Sequence, residues 1–393
     1  MKDTYPHISF ENTEIAYKSL SDSELKKAYY LFKMMGYNQL VKIGNQVINF
    51  LLKFNFPIEG IVRNTIFKHF CGGETLENTI PLINKLKQSN IEVLLNYSVE
   101  GLENAASYKN TFDKTLEAIH FAGENTSIRA ICIKFTGFAN MNIWTKLQNQ
   151  EPLNAEEQEE FEQAKYYIKT LCNAAVESRV HLYVDAEESW FQSSIDDLTD
   201  ELMAQFNREE AIIFNTFQLY RNDKLKHLES SITLAKANGY ILGAKLVRGA
   251  YVEKENDYAQ KNNIPSPIHR SKKETDIDFN LGIELCIQNL EHVSICCASH
   301  NEYSNLYFVE LIQKNNIPLD HKHLCISQLL GMSDNITYNI ASLGIPTAKY
   351  VPFGPVREVI PYLIRRSQEN TSVEGQTSRE FTLLSVEKKR RRI

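Results

Sequence analysis

No run of about 18 consecutive apolar residues occurs anywhere in the 393-residue chain, which excludes a membrane-spanning helix. The first twenty residues include acidic groups and no apolar stretch, so no secretory signal peptide is visible. That absence reads as a bacterial cytoplasmic protein, with a peripheral place on the inner face of the membrane left open. The seven cysteines (Cys71, Cys132, Cys172, Cys286, Cys296, Cys297 and Cys325) are odd in number and form no CxxC. They indicate free thiols in a reducing compartment rather than a disulfide framework. Neither GxGxxG nor a P-loop is present, which removes the usual nucleotide signatures. Net charge is −6, giving no footprint for nucleic acid. The only basic run, EKKRRRI at the C-terminus, reads as a frayed, solvated helix end, with weak contact to anionic lipid as the alternative.

What is present is an alternation. Residues 1–88 read as a helical arm, with SDSEL (Ser21 to Leu25) offering a cap followed by first-turn acids. From Ile91 the texture changes to short β-rich runs beginning at Ile91, Ile128, Val180, Ala211, Ile241, Val293, His323 and Thr347. Helical patterns separate them, at 111–124, 156–178, 195–207, 223–238, 274–291, 302–315, 329–343 and 355–370. Near-continuous apolar strands alternating with helices indicate a parallel sheet covered by helices. Eight such units predict a (β/α)8 barrel of the TIM type. The expected organisation is an N-terminal helical arm (1–88), a barrel that includes the helix after the eighth strand (89–370), and a C-terminal extension (371–393).

In such a barrel the carboxyl ends of the strands carry the active site. Those ends bring Lys134; Asp185, Ala186, Glu187 and Glu188; Gln218; Lys245, Arg248 and Tyr251; Ser299, His300 and Asn301; Ser327 and Gln328; and Tyr350. In the last helix Gly354 and Pro355 resemble a start, with proline at the first helical position. Tyr362, Arg365, Arg366 and Glu369 then share one face, flanked by Val356, Val359, Ile360, Leu363 and Ile364. Two planar guanidinium forks beside an apolar arc suit a carboxylate. No metal-ligand cluster is evident, and no serine or cysteine has a base partner. A site rich in cations, amides and phenols but poor in nucleophiles points to a cofactor that carries the reactivity. Its identity is not readable from composition.

The segments VDAEES (Val184 to Ser189), FNTFQLY (Phe214 to Tyr220), GAKLVRGAY (Gly243 to Tyr251), ASHN (Ala298 to Asn301), QLLGM (Gln328 to Met332) and YVPFGPVREVIPYLIRRSQEN (Tyr350 to Asn370) resemble the proline dehydrogenase family, closest to its eukaryotic-type, single-function branch. The resemblance runs from Ile91 to Asn370 and implies a distorted barrel holding FAD. The implied reaction oxidises L-proline to Δ1-pyrroline-5-carboxylate, the first step of proline catabolism to glutamate, with hydride passing from proline C5 to flavin N5. A membrane quinone or another acceptor would take the electrons, and a separate pyrroline-5-carboxylate dehydrogenase the product. The resemblance places Lys134, Arg365 and Arg366 on the proline carboxylate, with Glu369 orienting the arginines. Asp185, Tyr251, Tyr350 and Tyr362 would shape the pocket, and Asp185 and Lys245 would serve the chemistry. Lys245 would lie near flavin N5, Gln218 would bond the isoalloxazine, and Ala186, Arg248, Gly249, Ala250, Ser299 and His300 would line the FAD. Many bacterial members have arginine at the position of Lys245 and lysine at that of Arg248. Here the two are exchanged.

Three other readings stay open. Hydroxyproline dehydrogenase is the nearest; Tyr350 would crowd a ring hydroxyl. A Schiff-base aldolase would use Lys134 or Lys245 and no flavin. A non-catalytic proline-binding barrel would have lost clamp or flavin residues.

Overall fold

The computed structural model describes residues 8–37, 39, 44, 46–48, 51, 53–54, 56–99, 104–372 and 376–393; the side chains of 367–377 fall outside the described set. Eight parallel strands run in sequence order around a closed barrel. They are β1 (Ile91–Tyr97), β2 (Ile128–Ile133), β3 (His181–Val184), β4 (Ile213–Gln218), β5 (Leu242–Val247), β6 (Val293–Ala298), β7 (Leu324–Leu329) and β8 (Thr347–Phe353). The described helices before β1 include α1 (Asp22–Met35) and α2 (Leu76–Lys87). Between strands lie α3 (Ala105–Gly123), α4 (Met141–Gln148), α5 (Ala155–Ser178), α6 (Ser189–Phe206), α7 (Lys224–Asn238), α8 (Val252–Asn262), α9 (Lys272–Gln288), α10 (Glu302–Lys314) and α11 (Asp334–Ala341). After β8 come α12 (Val356–Ser372) and α13 (Gln376–Arg391). The chain divides into two compact units, 1–100 with 328–393, and 101–327.

Within the second unit the strands are apolar on both faces because each is covered outside by helices and faces the barrel interior within. All six residues of β4 are buried. Polar residues survive there only with partners. Thr216 donates to the Val184 carbonyl at 2.7 Å, and Asn215 donates to Asp196 at 3.0 Å. β3 starts one residue later than the apolar run suggests. Arg179 takes a left-handed conformation to end α5, and the Val180 N–H still closes that helix on Ala175. Asp185 likewise lies just past the strand rather than in it. Two helices have no counterpart in the sequence reading. α4 is capped by Asn140, whose side chain accepts from the Asn142 N–H. α8 occupies the stretch after Tyr251, between the expected helices at 223–238 and 274–291; only Glu255 and Ala259 are buried on it, so it shows almost no apolar period.

In the first unit, Ser21 caps α1 in a full capping box with Glu24, as SDSEL predicts. The expected helix from Leu329 starts later, at Asp334. β7 continues to Leu329, and Gly331 (φ +76°) and Ser333 (φ +52°) then turn the chain. Val356 is the first residue of α12, so Pro355 sits one position outside it and its carbonyl accepts from the Glu358 and Val359 N–H groups. The arc Val356, Val359, Ile360 and Leu363 is buried, in one cluster with Val62, Phe67 and Phe70. The basic C-terminus is not a frayed helix end. Glu387, fully buried, accepts from Arg390 and Arg391, and Arg391 also donates to the Leu20 and Tyr17 carbonyls at 2.7 Å. All seven cysteines are buried free thiols.

Candidate active site

In the second unit the ends of β2 to β6 assemble most of the residues singled out by the sequence. At the end of β3, Asp185 meets Lys245 of β5, with Nζ 2.6 Å from Oδ1. Both side chains are largely buried, 14% and 7% exposed, so the pair is strongly felt. Burial alone would lower the Lys245 pKa, but Asp185 and the neighbouring thiols of Cys132 and Cys296 outweigh it and raise it. Lys245 is therefore held as a cation, 5.9 Å from the Tyr183 ring centroid.

Arg248 continues β5 and is fully engaged. Nε donates to Asp276 at 2.8 Å, Nη1 to Ser299 at 2.6 Å and Nη2 to Ser304 at 2.9 Å. Its guanidinium carbon lies 4.3 Å from the Phe279 ring centroid. Burial lowers its pKa and Asp276 partly offsets that. Ser299 thus couples Arg248 to the end of β6, and also accepts from the Asn301 N–H at 3.1 Å. Asn301 caps α10 by accepting from the Ser304 N–H. His300 is half-buried between them. Gly249 has φ +131°, and a Cβ there would lie 2.4 Å from the Tyr220 ring. Only glycine fits that position. Ala250 is exposed and Tyr251 half-buried at the entry to α8. Lys272, on α9, is exposed and pairs with Asp276 at 2.6 Å.

Gln218, at the end of β4, donates Nε2 to the Glu187 carbonyl at 2.7 Å. A carbonyl can only accept, so this bond fixes the orientation of the amide and leaves Oε1 as its acceptor. Ala186 is half-buried beside Glu187. Lys134 is half-buried where β2 gives way to a 3-10 turn (Phe135–Gly137). Burial pushes the Glu187 carboxyl up to about 7, against the opposing pull of Lys134 and Thr136.

In the first unit, Tyr350 of β8 and Tyr362 of α12 are buried, and Arg365 and Arg366 are half-buried. The Arg366 guanidinium carbon stands 5.1 Å from the Tyr362 ring centroid, in line with the predicted shared face. The Glu369 side chain lies outside the described residues. Gln328, read as a strand-end residue, accepts from Thr337 at 2.7 Å. In the second unit the described residues hold two cations, Lys245 and Arg248, and one oriented amide, Gln218.

Comparison with known proteins gives the family. The proline dehydrogenase family model matches residues 79–379, a span holding every candidate residue. "Proline dehydrogenase 1, mitochondrial" of Dictyostelium discoideum is 28% identical over 97% of this chain and 74% of that protein. The Homo sapiens protein of the same name is 38% identical over 57% of this chain and 38% of its own length. The carbapenem antibiotics biosynthesis protein CarD of Pectobacterium carotovorum is 29% identical, covering 85% of this chain and 86% of its own. A proline utilization A (PutA) structure from Bdellovibrio bacteriovorus, inactivated by N-propargylglycine, superimposes with a TM-score of 0.73 at 19% identity. It covers 92% of this chain and 38% of that one, and shows the fold.

The expectation of a cytoplasmic protein is overturned. The relatives from Dictyostelium, human, Schizosaccharomyces pombe and Arabidopsis thaliana are all named mitochondrial. A missing secretory signal bears on the secretory route alone and carries no information about organelles. The family match across 79–379, with the barrel and the relatives' names, makes this chain a member of the proline dehydrogenase family, on its eukaryotic-type side.

Proposed function

We propose that this chain oxidises L-proline to Δ1-pyrroline-5-carboxylate with FAD as its cofactor, as the first step of proline catabolism, and passes the electrons to a quinone or a similar acceptor. The observation that carries the reading is the family match over the whole candidate site. The residues present fit a flavin. A held ammonium (Lys245), an oriented amide acceptor (Gln218), a buried guanidinium (Arg248) and a position closed to any side chain (Gly249) form a donor and acceptor set for a planar polar ring and its anionic tail. With these, Ala186, Ala250, Ser299 and His300 would hold the cofactor, which supplies the two-electron acceptor for the hydride of proline C5.

The chain's own part is binding, orientation and charge. By the resemblance, Lys134, Arg365 and Arg366 would take the substrate carboxylate. Tyr251, Tyr350 and Tyr362 shape the pocket around the pyrrolidine ring. Asp185 keeps Lys245 protonated, which maintains a positive charge where negative charge develops. The proline nitrogen must be unprotonated to support the developing iminium, so the rate rises with pH as that amine loses its proton. The test is proline-dependent reduction of an artificial dye acceptor, with trapping of the cyclic imine. Dye reduction without that imine would remove the reading.

Tyr350 gives the substrate preference. It is buried, with 9% exposure, and by the resemblance it would crowd a hydroxyl on the substrate ring. The wild-type chain is expected to favour proline over trans-4-hydroxyproline in kcat/KM by on the order of tenfold or more, and Tyr350→Ser is expected to narrow that ratio. Equal efficiency of the wild type on both substrates would reassign the chain to hydroxyproline.

A further inference from the structure

Glu187 is a buried carboxylate, 4% exposed, to which neither composition nor resemblance gives a role. Burying a carboxylate is costly unless its oxygens are used. Both are, and on one residue. Oε1 accepts from the Thr136 N–H at 3.2 Å, and Oε2 from the Thr136 hydroxyl at 2.5 Å. Thr136 sits in the 3-10 turn that starts from Lys134, where the Gly137 N–H closes on the Lys134 carbonyl at 3.1 Å. The carboxylate therefore pins the turn that carries the Lys134 backbone.

The Glu187 main chain does a second job. Its carbonyl holds the Gln218 amide at 2.7 Å. Its N–H donates to Gln192 Oε1 at 2.6 Å, and Gln192 Nε2 in turn donates to Asp196 at 2.9 Å. Asp196 is itself buried against Lys224 and also accepts from Asn215. A continuous polar strut thus runs from the Asp196–Lys224 pair, through Gln192, to Glu187 and Gln218. Fully satisfied buried networks of this kind hold one geometry.

We propose that Glu187 is a positioning residue for the proline site, fixing the Lys134 turn through its carboxylate and the Gln218 amide through its backbone. This rests on the reading of Lys134 as a ligand of the proline carboxylate. Lys134 and Glu188 are the charged groups that act on Glu187, the first favouring its anion and the second opposing it.

Glutamine at 187 can still accept the Thr136 N–H and donate to the Thr136 hydroxyl, whereas alanine can do neither. Four variants of the FAD-loaded full-length enzyme separate the possibilities: Glu187→Ala, Glu187→Gln, Thr136→Val and Lys134→Met. Glu187→Ala and Thr136→Val are each expected to raise the KM for L-proline by about tenfold, with kcat and flavin content changed less than about threefold, since a hydrogen bond to a charged group is lost but the backbone strut remains. Glu187→Gln is expected to return KM to within about threefold of wild type. A KM that rises in Lys134→Met but stays unchanged in both Glu187→Ala and Thr136→Val overturns the proposal and leaves the clamp standing. An unchanged KM in Lys134→Met overturns the clamp and this proposal with it. Glu187→Gln as damaging as Glu187→Ala also overturns it. Should Glu187→Ala fail to fold, Thr136→Val carries the same test from the other side of the contact.

Discussion

Arg366→Met is expected to raise the KM for L-proline on the order of 100-fold, with flavin content unchanged. Methionine keeps an apolar stem against Tyr362, where the guanidinium carbon now stands at 5.1 Å, so packing of α12 on its buried arc survives. What is lost is a planar, permanently charged fork, and truncating one partner of a desolvated charge pair costs about 3 kcal/mol, or roughly 100-fold. Arg366→Lys should fall between the two, because lysine restores the charge but not the fork. Arg365→Met should behave in the same way. Steady-state kinetics with flavin quantified in the same preparations decides the matter. An unchanged KM in both methionine variants would take the arginine pair out of the substrate site.

The second large effect is at Asp185. Removing it by Asp185→Ala leaves the Lys245 ammonium buried at 7% exposure without its 2.6 Å partner. Breaking a buried pair from one side is expected to cost about 3 kcal/mol of stability. Loss of a charge aimed at the reacting centre is expected to lower kcat by about 100-fold or more. The pH dependence follows from the direction of the Lys245 shift. Its folded pKa lies above the unfolded value of about 10.4, so the pair's contribution is fully present below that pH and lost only as pH rises through the folded value. In Asp185→Ala burial acts on Lys245 without its partner and depresses the same group below its unfolded value, so the Tm gap between wild type and variant should be widest near about pH 6 and narrow as pH rises towards about 10. A gap that does not narrow with rising pH, or a variant as stable and active as wild type, would show that the pair is incidental.

The polar cluster at the strand ends is legible from residues alone, for a physical reason. Strands buried on both faces tolerate polar side chains only where these are paired or used. Gln218, Lys245 and Asp185 at the ends of their strands therefore stood out against the apolar runs, and the structure pairs the latter two directly. Periodicity found the barrel strands but not α8, because a helix with only Glu255 and Ala259 buried carries no apolar stripe. Burial likewise disguised the terminal EKKRRRI run: its charge reads as solvated, yet Glu387 beneath it is fully buried. Glu187 was visible only as one acid among three in VDAEES. Its distinction depends on Thr136, fifty-one positions earlier, and Gln192, partners that no local pattern announces. The compartment is not legible in a missing secretory signal, which concerns a different route.

The most direct test of the account is an anaerobic absorbance spectrum of the purified protein, before and after L-proline. The account predicts flavin bands that bleach on adding proline, and bleach less with hydroxyproline. Flavin bands indifferent to proline, or a protein that stays colourless when FAD is supplied, would contradict it.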